Sequence, residues 1–149
     1  MSKLNIRATG LDISKRALLV AKKNLIKFNL NNKINLIESN WFENLDNKFD
    51  LIISNPPYIK KFDLNKLNRE VIDYEPKMAL DGGLEGLSVI RKVIKKSSEL
   101  LKKNGKFILE IGFDQKSKVI KLLNNKGFYI NSTTKDLANN DRCIVSTKI

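Results

Sequence analysis

The chain has 149 residues, of which 42% are hydrophobic, and a formal net charge of +12 at pH 7. That length suits one domain. The sequence has no apolar run long enough for a membrane span and no apolar leader typical of a secretory signal, so we expect a cytoplasmic protein. A lone cysteine, Cys143, excludes an internal disulfide framework, and the lack of histidine removes Ser-His and Cys-His nucleophile pairs and the usual zinc sites, so we expect no metal.

The first third of the chain predicts a strand, a helix and a second strand. Residues 4–12 alternate loosely between apolar and polar side chains, and Ser14 is placed to cap a helix over 14–28. In that helix apolar residues recur at three- and four-residue spacing. Residues 34–39 then predict a short strand.

The rest of the chain continues the alternation of strands and helices. Residues 49–54, FDLIIS, are a near-continuous apolar run, which is typical of a buried strand in a parallel sheet. A long connection over 60–83 is typical of a binding loop. Helical spacing returns over 84–101 and closes at Asn104-Gly105, a C-terminal signal. A strand at KFILEIG, a helix over 115–125 and a final pair of strands, read as antiparallel, follow.

Strands that alternate with helices predict an α/β fold with a parallel sheet and an edge hairpin. In such sheets ligands bind at the carboxyl ends of the strands. Four polar residues fall at or just beyond predicted strand ends, namely Asp12, Asn40, Asn55 and Glu110. We therefore expect these four side chains to share one edge of the sheet.

The segment Asn55-Pro56-Pro57-Tyr58 directly follows the apolar strand. An amide or exocyclic amine is a poor nucleophile because its lone pair is delocalised, so a catalyst must fix its orientation. The Asn55 side-chain oxygen and the Pro56 carbonyl are two acceptors for the two N–H hydrogens, and the proline ring aims that carbonyl. Tyr58 adds an aromatic face for a planar group. The segment predicts a site that positions an NH2 group without a titrating base, or else an ordinary strand-to-loop turn.

NPPY after an apolar strand resembles the amino-group methyltransferase motif, which DNA adenine-N6 and protein glutamine-N5 methyltransferases share. The phrases GLDIS, SNWF, YEP, LEIG and KDL followed by DR are similar to the catalytic domain of the HemK/PrmC family, in the family's order. This resemblance covers nearly the whole chain. It implies a partial catalytic domain, 1–149, with the Rossmann-like class I fold of S-adenosylmethionine-dependent methyltransferases. Enzymes of that family methylate the glutamine of the GGQ loop in peptide chain release factors.

The resemblance also implies a cofactor site for S-adenosyl-L-methionine. Asp12 would accept hydrogen bonds from the ribose hydroxyls, with a helix N-cap or a solvated turn acid as the alternative. Asn40 stands where the family has an aspartate that reaches the adenine, and it keeps an acceptor but not the charge. Trp41 and Phe42 would flank the adenine or pack in the core. Asn55 would also contact the cofactor.

Catalytic and substrate-binding roles are also implied by the resemblance. The resemblance implies both roles for Asn55, Pro56, Pro57 and Tyr58. Glu75 and Pro76 look like substrate-channel residues, with a loop-ordering ion pair as the alternative for the glutamate. We expect Glu110 to be structural. Arg142 matches the family's arginine, but Ala138 replaces the usual glycine before it, so the resemblance assigns that turn no role.

One part of the family pattern does not occur in this sequence. Family members carry a helical recognition domain and a first strand with a DxGxGxG-like turn, which this chain lacks. In the family's strand order, 3-2-1-4-5-7-6, that strand is central. We therefore expect strands 2 and 3 to separate from the rest or strand 2 to pair with strand 4, with loss of stability and cofactor affinity. The chain can be a fragment, or half of a split protein whose partner chain supplies the strand.

Three functions stay open at this point. The leading one is N5-methylation of a release-factor glutamine. A nucleic-acid adenine-N6 methyltransferase is the second, because the same motif can hold a flipped adenine and the basic charge suits nucleic acid or the ribosome. A lysine- and asparagine-rich composition accounts for that charge equally well without any binding. The third is a non-catalytic remnant or half of a split enzyme.

Overall fold

The computed structural model describes residues 6–40, 43, 45–66 and 76–149. The chain divides into two compact units, an N-terminal unit (Met1–Leu45) and a C-terminal unit (Asp46–Ile149). Within the described ranges, the helices are all too short or too polar to cross a membrane.

The N-terminal unit is a strand-helix-strand motif. Strand β1 (Ala8–Asp12) and strand β2 (Ile34–Glu38) are parallel and flank helix α1 (Lys15–Lys27). The Ser14 hydroxyl accepts a hydrogen bond from the Ala17 amide at 3.2 Å, so it is the predicted N-cap of α1. Each boundary lies within a residue of the prediction, apart from the start of β1.

The C-terminal unit begins with β3 (Phe49–Ser54), whose bounds are those predicted. The elements after it are a 3-10 helix (Lys61–Lys66), α2 (Lys77–Leu80), α3 (Ser88–Leu100), β4 (Leu101–Glu110), α4 (Lys116–Asn124), β5 (Phe128–Lys135) and β6 (Asp141–Lys148). The strand order is β3-β4-β6-β5, with β3 and β4 parallel and β6 antiparallel to both of its neighbours. The predicted edge hairpin is therefore confirmed.

The apolar core of the described residues lies in the C-terminal unit. On α3 the buried side chains recur at helical spacing, and the helix packs against β3 and β4. The centre of β4 is fully buried at Phe107 and Leu109, which pair with Ser146 and Ile144 of β6. In the N-terminal unit, by contrast, Ser39 alone is buried among residues 6–40. The C-terminal unit thus has the packed interior that can hold a site rigid.

The two sheets correspond to the family's strand order with its central strand left out. The pair β2-β1 corresponds to strands 3-2, and β3-β4-β6-β5 corresponds to strands 4-5-7-6. Among the described residues no strand pairing joins the two sheets, and β1 does not pair with β3. The expectation that four polar residues share the edge of a single sheet is therefore wrong, because they are divided between two sheets. Asp12 and Asn40 follow strands of the two-stranded sheet, whereas Asn55 and Glu110 lie at strand ends of the four-stranded sheet.

The predictions of where α3 begins and where it ends were both wrong. The helix begins at Ser88 rather than at 84, because Gly83 and Gly86 have positive φ angles of 87° and 70°, which interrupt a helix. Asn104-Gly105 lies inside β4 and does not end the helix. Asn104 has a φ of 65° where the pairing of β3 with β4 shifts register, because an Asn-Gly pair supplies a left-handed residue to a strand irregularity as readily as to a helix cap.

Candidate active site

The NPPY segment leaves the carboxyl end of β3 with its residues in contrasting environments. Asn55 is exposed, Pro56 and Pro57 are buried, and Tyr58 is half-buried. Within the described residues no hydrogen bond joins the Asn55 carboxamide to another group, so both of its polar atoms are open to a ligand. Pro56 is less than 2% exposed, so a ligand reaches its carbonyl only when the surrounding loop shifts.

Tyr58 is fixed at both of its ends. Its hydroxyl donates to Glu110 Oε1 at 3.0 Å and accepts from Arg142 Nη1 at 3.4 Å. Its backbone carbonyl accepts from Gln115 Nε2 at 3.0 Å. Burial, and then the hydrogen bond to Glu110, raise the pKa of the phenol above its ordinary value of 10.0. The ring therefore stays neutral at neutral pH and is held in one orientation.

Arg142 joins the start of β6 to this tyrosine. Its guanidinium lies 5.8 Å from the centre of the Tyr58 ring and donates to the Ile111 carbonyl at 3.2 Å. Two further donors, Nε and Nη2, reach Asp136 Oδ2 at 3.2 and 2.9 Å. No role was predicted for this arginine from the sequence, although the KDL-DR phrase contains both members of the ion pair.

The turn that holds Asp136 closes without a glycine at position 138. Asp136 Oδ1 accepts from the amides of Ala138 and Asn140 at 3.0 and 2.9 Å. Asn139 takes the positive φ, 65°, so Ala138 does not have to. The Asn140 amide, the Arg142 guanidinium and the Ala138 amide lower the pKa of the Asp136 carboxyl, which keeps it charged for the arginine.

Gln115 is a second residue that the sequence analysis did not single out for the site. It is 2% exposed and lies directly before α4. Its Oε1 accepts from the Gly112 amide at 2.9 Å, and its Nε2 donates to the Tyr58 and Gly86 carbonyls at 3.0 and 3.1 Å. The LEIG phrase followed by glutamine carried the signal, but nothing in it indicates the distant partners.

The predicted cofactor residues that the structure describes belong to the N-terminal unit. Asp12 ends β1, is exposed, and uses Oδ1 to accept from the Ser14 amide at 2.7 Å. This is the role of a turn acid that precedes the Ser14 cap, and it leaves Oδ2 for a ligand hydroxyl. Asn40 is exposed just beyond β2, and its Nδ2 donates to Glu43 Oε1 at 3.3 Å. Because β1 and β2 are parallel, both residues lie at the carboxyl edge of that sheet.

Four predicted positions remain, and three of them cannot be placed in the described part of the chain. Trp41, Phe42 and Glu75 lie outside the described residues. Pro76 is exposed immediately before α2, and its carbonyl accepts from the Ala79 amide. The residues that the structure brings together are those of the NPPY segment with Glu110, Gln115, Asp136 and Arg142.

Comparison with known proteins gives a family match and close relatives. A family model described as "Methyltransferase small domain" matches residues 2–83, just over half of the chain. A protein named "Bifunctional methyltransferase" from Rickettsia prowazekii is 48% identical over 141 residues, which cover 94% of this chain and 27% of that protein. A "Release factor glutamine methyltransferase" from Agrobacterium fabrum is 40% identical over 135 residues, which cover 91% of this chain and 47% of that protein. The chain spans less than half of either relative.

Solved structures show the same fold. A Streptococcus mutans protein in complex with SAH aligns with a TM-score of 0.65 at 14% identity, over 96% of this chain and 76% of that one. Together with the strand order, this likeness identifies the Rossmann-like class I methyltransferase fold that the sequence predicted, and its central strand is not among the described strands.

Proposed function

Because the chain belongs to the methyltransferase small domain family, we propose that its NPPY segment positions a planar NH2 group for methylation. The observation that carries the proposal is the exposed Asn55 carboxamide at the carboxyl end of β3, next to a tyrosine ring that hydrogen bonds hold in place. Ligands of α/β sheets bind at this end of the strands.

The proposed reaction depends on hydrogen-bond acceptors and not on a base. Asn55 Oδ1 accepts one N–H of the substrate, and the Pro56 carbonyl accepts the other once the loop admits the substrate. Both hydrogens then lie in the plane of the acceptors, so the nitrogen lone pair faces the methyl donor. Tyr58 forms one wall for the flat group. After transfer, the nitrogen loses a proton to water, and no side chain has to titrate near neutral pH.

The proposed cofactor is S-adenosyl-L-methionine, which supplies an electrophilic methyl group when bound. Asp12 fits this cofactor because its Oδ2 is available to ribose hydroxyls at the end of β1. Asn40, at the same edge, offers an amide oxygen to the adenine amine. Trp41 and Asn55 remain further proposed contacts. SAH is the product that this cofactor leaves after transfer, and its presence in a structural neighbour supports the assignment.

The proposed substrate is the glutamine of the GGQ motif in a peptide chain release factor, with Glu75 and Pro76 in the channel that receives it. The name of the Agrobacterium relative supports this choice over others. A nucleic-acid adenine is the second candidate, which the net charge of +12 favours. A release factor as substrate would also place the protein in the cytoplasm, near the ribosome.

We further propose that a partner chain or another protein segment supplies the missing first strand. Within the described residues β3 pairs with β4 on one side only, and β1 pairs with β2 on one side only. On β3, Leu51 and Ile53 are 47% and 68% exposed, which is unusual for an apolar strand of a parallel sheet. The unpaired backbone N–H and C=O groups at such a strand edge are a template for another strand, and the exposed face that Leu51 and Ile53 share leaves apolar surface to be covered.

Radiolabelled methyl transfer tests these proposals. The chain, with and without a peptide for the first strand, is incubated with labelled S-adenosylmethionine and either a release factor or adenine-containing DNA. Label should appear on the release-factor glutamine. Asn55→Ala should lower the rate about 100-fold, a typical loss for one preorganised hydrogen-bond partner of a transition state. Asn124→Ala, which truncates an exposed asparagine of α4, is the control and should leave the rate unchanged.

Other outcomes separate the alternatives. Label on DNA alone would replace the release factor by a nucleic acid as substrate. An absence of cofactor binding even at millimolar concentration, with the strand peptide present, would support a non-catalytic remnant.

A further inference from the structure

Gln115 connects three separate loops through one side chain. The amide lies where the NPPY segment, the glycine-rich turn before α3 and the turn between β4 and α4 meet. Two backbone carbonyls, of Tyr58 and Gly86, approach one of its polar atoms, and an N–H approaches the other. The donor and acceptor ends of the amide are therefore set by their partners, and a glutamine satisfies all three groups at once.

Glycines on two of these loops make room for the glutamine. A Cβ added at Gly86 would lie 2.3 Å from the Tyr58 carbonyl oxygen and 2.6 Å from Gln115 Nε2. One added at Gly112 would lie 3.0 Å from the Gln115 side-chain carbon Cδ. The backbones thus approach the amide as closely as they can, which is the arrangement of a fixed support and not of a loose surface contact.

We propose that Gln115 is the positioning residue of the NPPY segment: it fixes the Tyr58 carbonyl and thereby the direction in which the chain leaves Asn55 and Pro56. The catalytic meaning of this role rests on the proposed function. Gln115 acts through Tyr58 and is itself buried away from any ligand.

The two ends of Tyr58 make the proposal measurable. Gln115 holds the backbone end and Glu110 accepts from the hydroxyl, so a loosened backbone also lets the phenol leave its buried position. Burial and the Glu110 hydrogen bond are the main reasons why the pKa of this phenol is raised. Ionisation of Tyr58 is accordingly a readout of loop position that does not depend on catalysis.

The experiment compares Gln115→Met with the parent chain. Methionine has nearly the same shape and no amide, so it keeps the packing and removes all three hydrogen bonds. The Tyr58 titration, followed by ultraviolet absorbance and assigned with Tyr58→Phe, should shift down towards the ordinary pKa of about 10. Amides of Ile59 and Gly82, which bond within these loops, should exchange at least about tenfold faster as the loops open more often.

Ser146→Ala is the matched control. It removes a buried side-chain hydrogen bond, from the hydroxyl to the Phe107 carbonyl, in the same unit but away from the NPPY segment. Neither the Tyr58 titration nor the exchange of the loop amides should change in it. Unchanged titration and exchange in Gln115→Met, or equal changes in the control, would overturn the proposal.

Gln115→Glu provides a conservative rescue with a pH signature. A protonated glutamic acid still accepts from the Gly112 amide and donates to one carbonyl, whereas its ionised form repels both carbonyl oxygens. The protection of the loop amides, which is their exchange corrected for the intrinsic pH dependence, should therefore rise as the pH falls in this variant and show no such recovery in Gln115→Met.

Methyl transfer separates this proposal from the proposed function. If the parent is active, Gln115→Met should lower kcat at least about tenfold while KM for S-adenosylmethionine changes less than about threefold, because Asp12 and Asn40 are untouched and Asn55 is the one proposed cofactor contact that the loop carries. If no chain transfers label but the Tyr58 titration shifts as expected, the positioning role stands and the proposed function fails.

Discussion

At the scale of single residues, the site relies on fixed hydrogen bonds and not on a titrating catalyst. Within the NPPY segment only Tyr58 has a side chain that can ionise, and its raised pKa keeps the phenol neutral at neutral pH. Arg142 and Asp136 form an ion pair within the network. This fits a reaction in which the nitrogen must be oriented, and it agrees with a chain that has no histidine.

Asp136 should contribute to acid stability. Because the pKa of its carboxyl is lower in the folded chain than its ordinary value of 3.8, its contribution is present above that value and is lost as the pH falls through the folded pKa. Asp136→Asn should therefore flatten the fall in the free energy of unfolding at acid pH, measured by urea unfolding from about pH 7 to about pH 2. Asp50→Asn, which breaks an exposed ion pair with Lys102, should leave that profile nearly unchanged. Identical profiles for Asp136→Asn and the parent chain would contradict this role.

At the scale of elements, the glycine-rich turn before α3 determines how closely the NPPY segment is supported. Gly83 and Gly86 both adopt positive φ, and the Gly86 carbonyl is one of the two that Gln115 holds. The turn brings this carbonyl beside that of Tyr58, so the start of α3 and the loop after β3 are fixed together.

Gly86→Ala should lower the free energy of unfolding more than the matched substitution Gly127→Ala. Both glycines have nearly the same φ, 70° and 73°, so alanine costs about 1 kcal/mol of backbone strain at each. At Gly86 the new Cβ also meets the Tyr58 carbonyl, whereas at Gly127 it meets only the flexible end of Lys148. Urea unfolding should show at least about 1 kcal/mol more loss for Gly86→Ala, in the range of overpacked cores. Equal losses of unfolding free energy in the two variants would show that the contact between the new Cβ and the Tyr58 carbonyl does not affect stability.

At the scale of the whole molecule, the two units differ in how much apolar surface they bury. The C-terminal unit has a continuous core, whereas in the N-terminal unit Leu19, Val20 and Ile26 are each about 60% exposed. Two parallel strands with one helix bury little surface on their own. The unpaired edges of β1 and β3 are where further apolar surface can be covered.

Ile53→Lys should distinguish an open edge from a completed sheet. In the chain alone, Ile53 is 68% exposed, so the substitution should change the free energy of unfolding by less than about 0.5 kcal/mol. In the chain to which a segment for the first strand is added, it should cost about 2 kcal/mol or more if that segment covers the exposed face of β3, since an unpaired charge would then be buried. Thermal unfolding of the parent and of Ile53→Lys, each with and without the added segment, measures the two effects. Equal small effects would mean that the segment does not cover β3.

The sequence by itself determined the local elements and the chemical character of the NPPY segment. The Ser14 cap, the spacing in α1 and the apolar run of β3 act between neighbours in the chain, so they can be read without a fold. The strand order was predicted from the phrases that this sequence shares with the HemK/PrmC family. The start of α3 was misjudged because Gly83 and Gly86 adopt positive φ, and at Gly86 the backbone lies against Tyr58 and Gln115, which are distant in the sequence.

Only the tertiary structure decided which side chains serve the site together. Gln115 lies 57 residues from the Tyr58 carbonyl that it holds, and Arg142 lies 84 residues from the phenol that it contacts. It also decided that Asp12 and Asn55 belong to separate sheets, because the strand that would join β1 to β3 is not among those observed. Hydrogen bonds between distant residues depend on how strands pair, and strand pairing is a property of the whole sheet and not of any one segment.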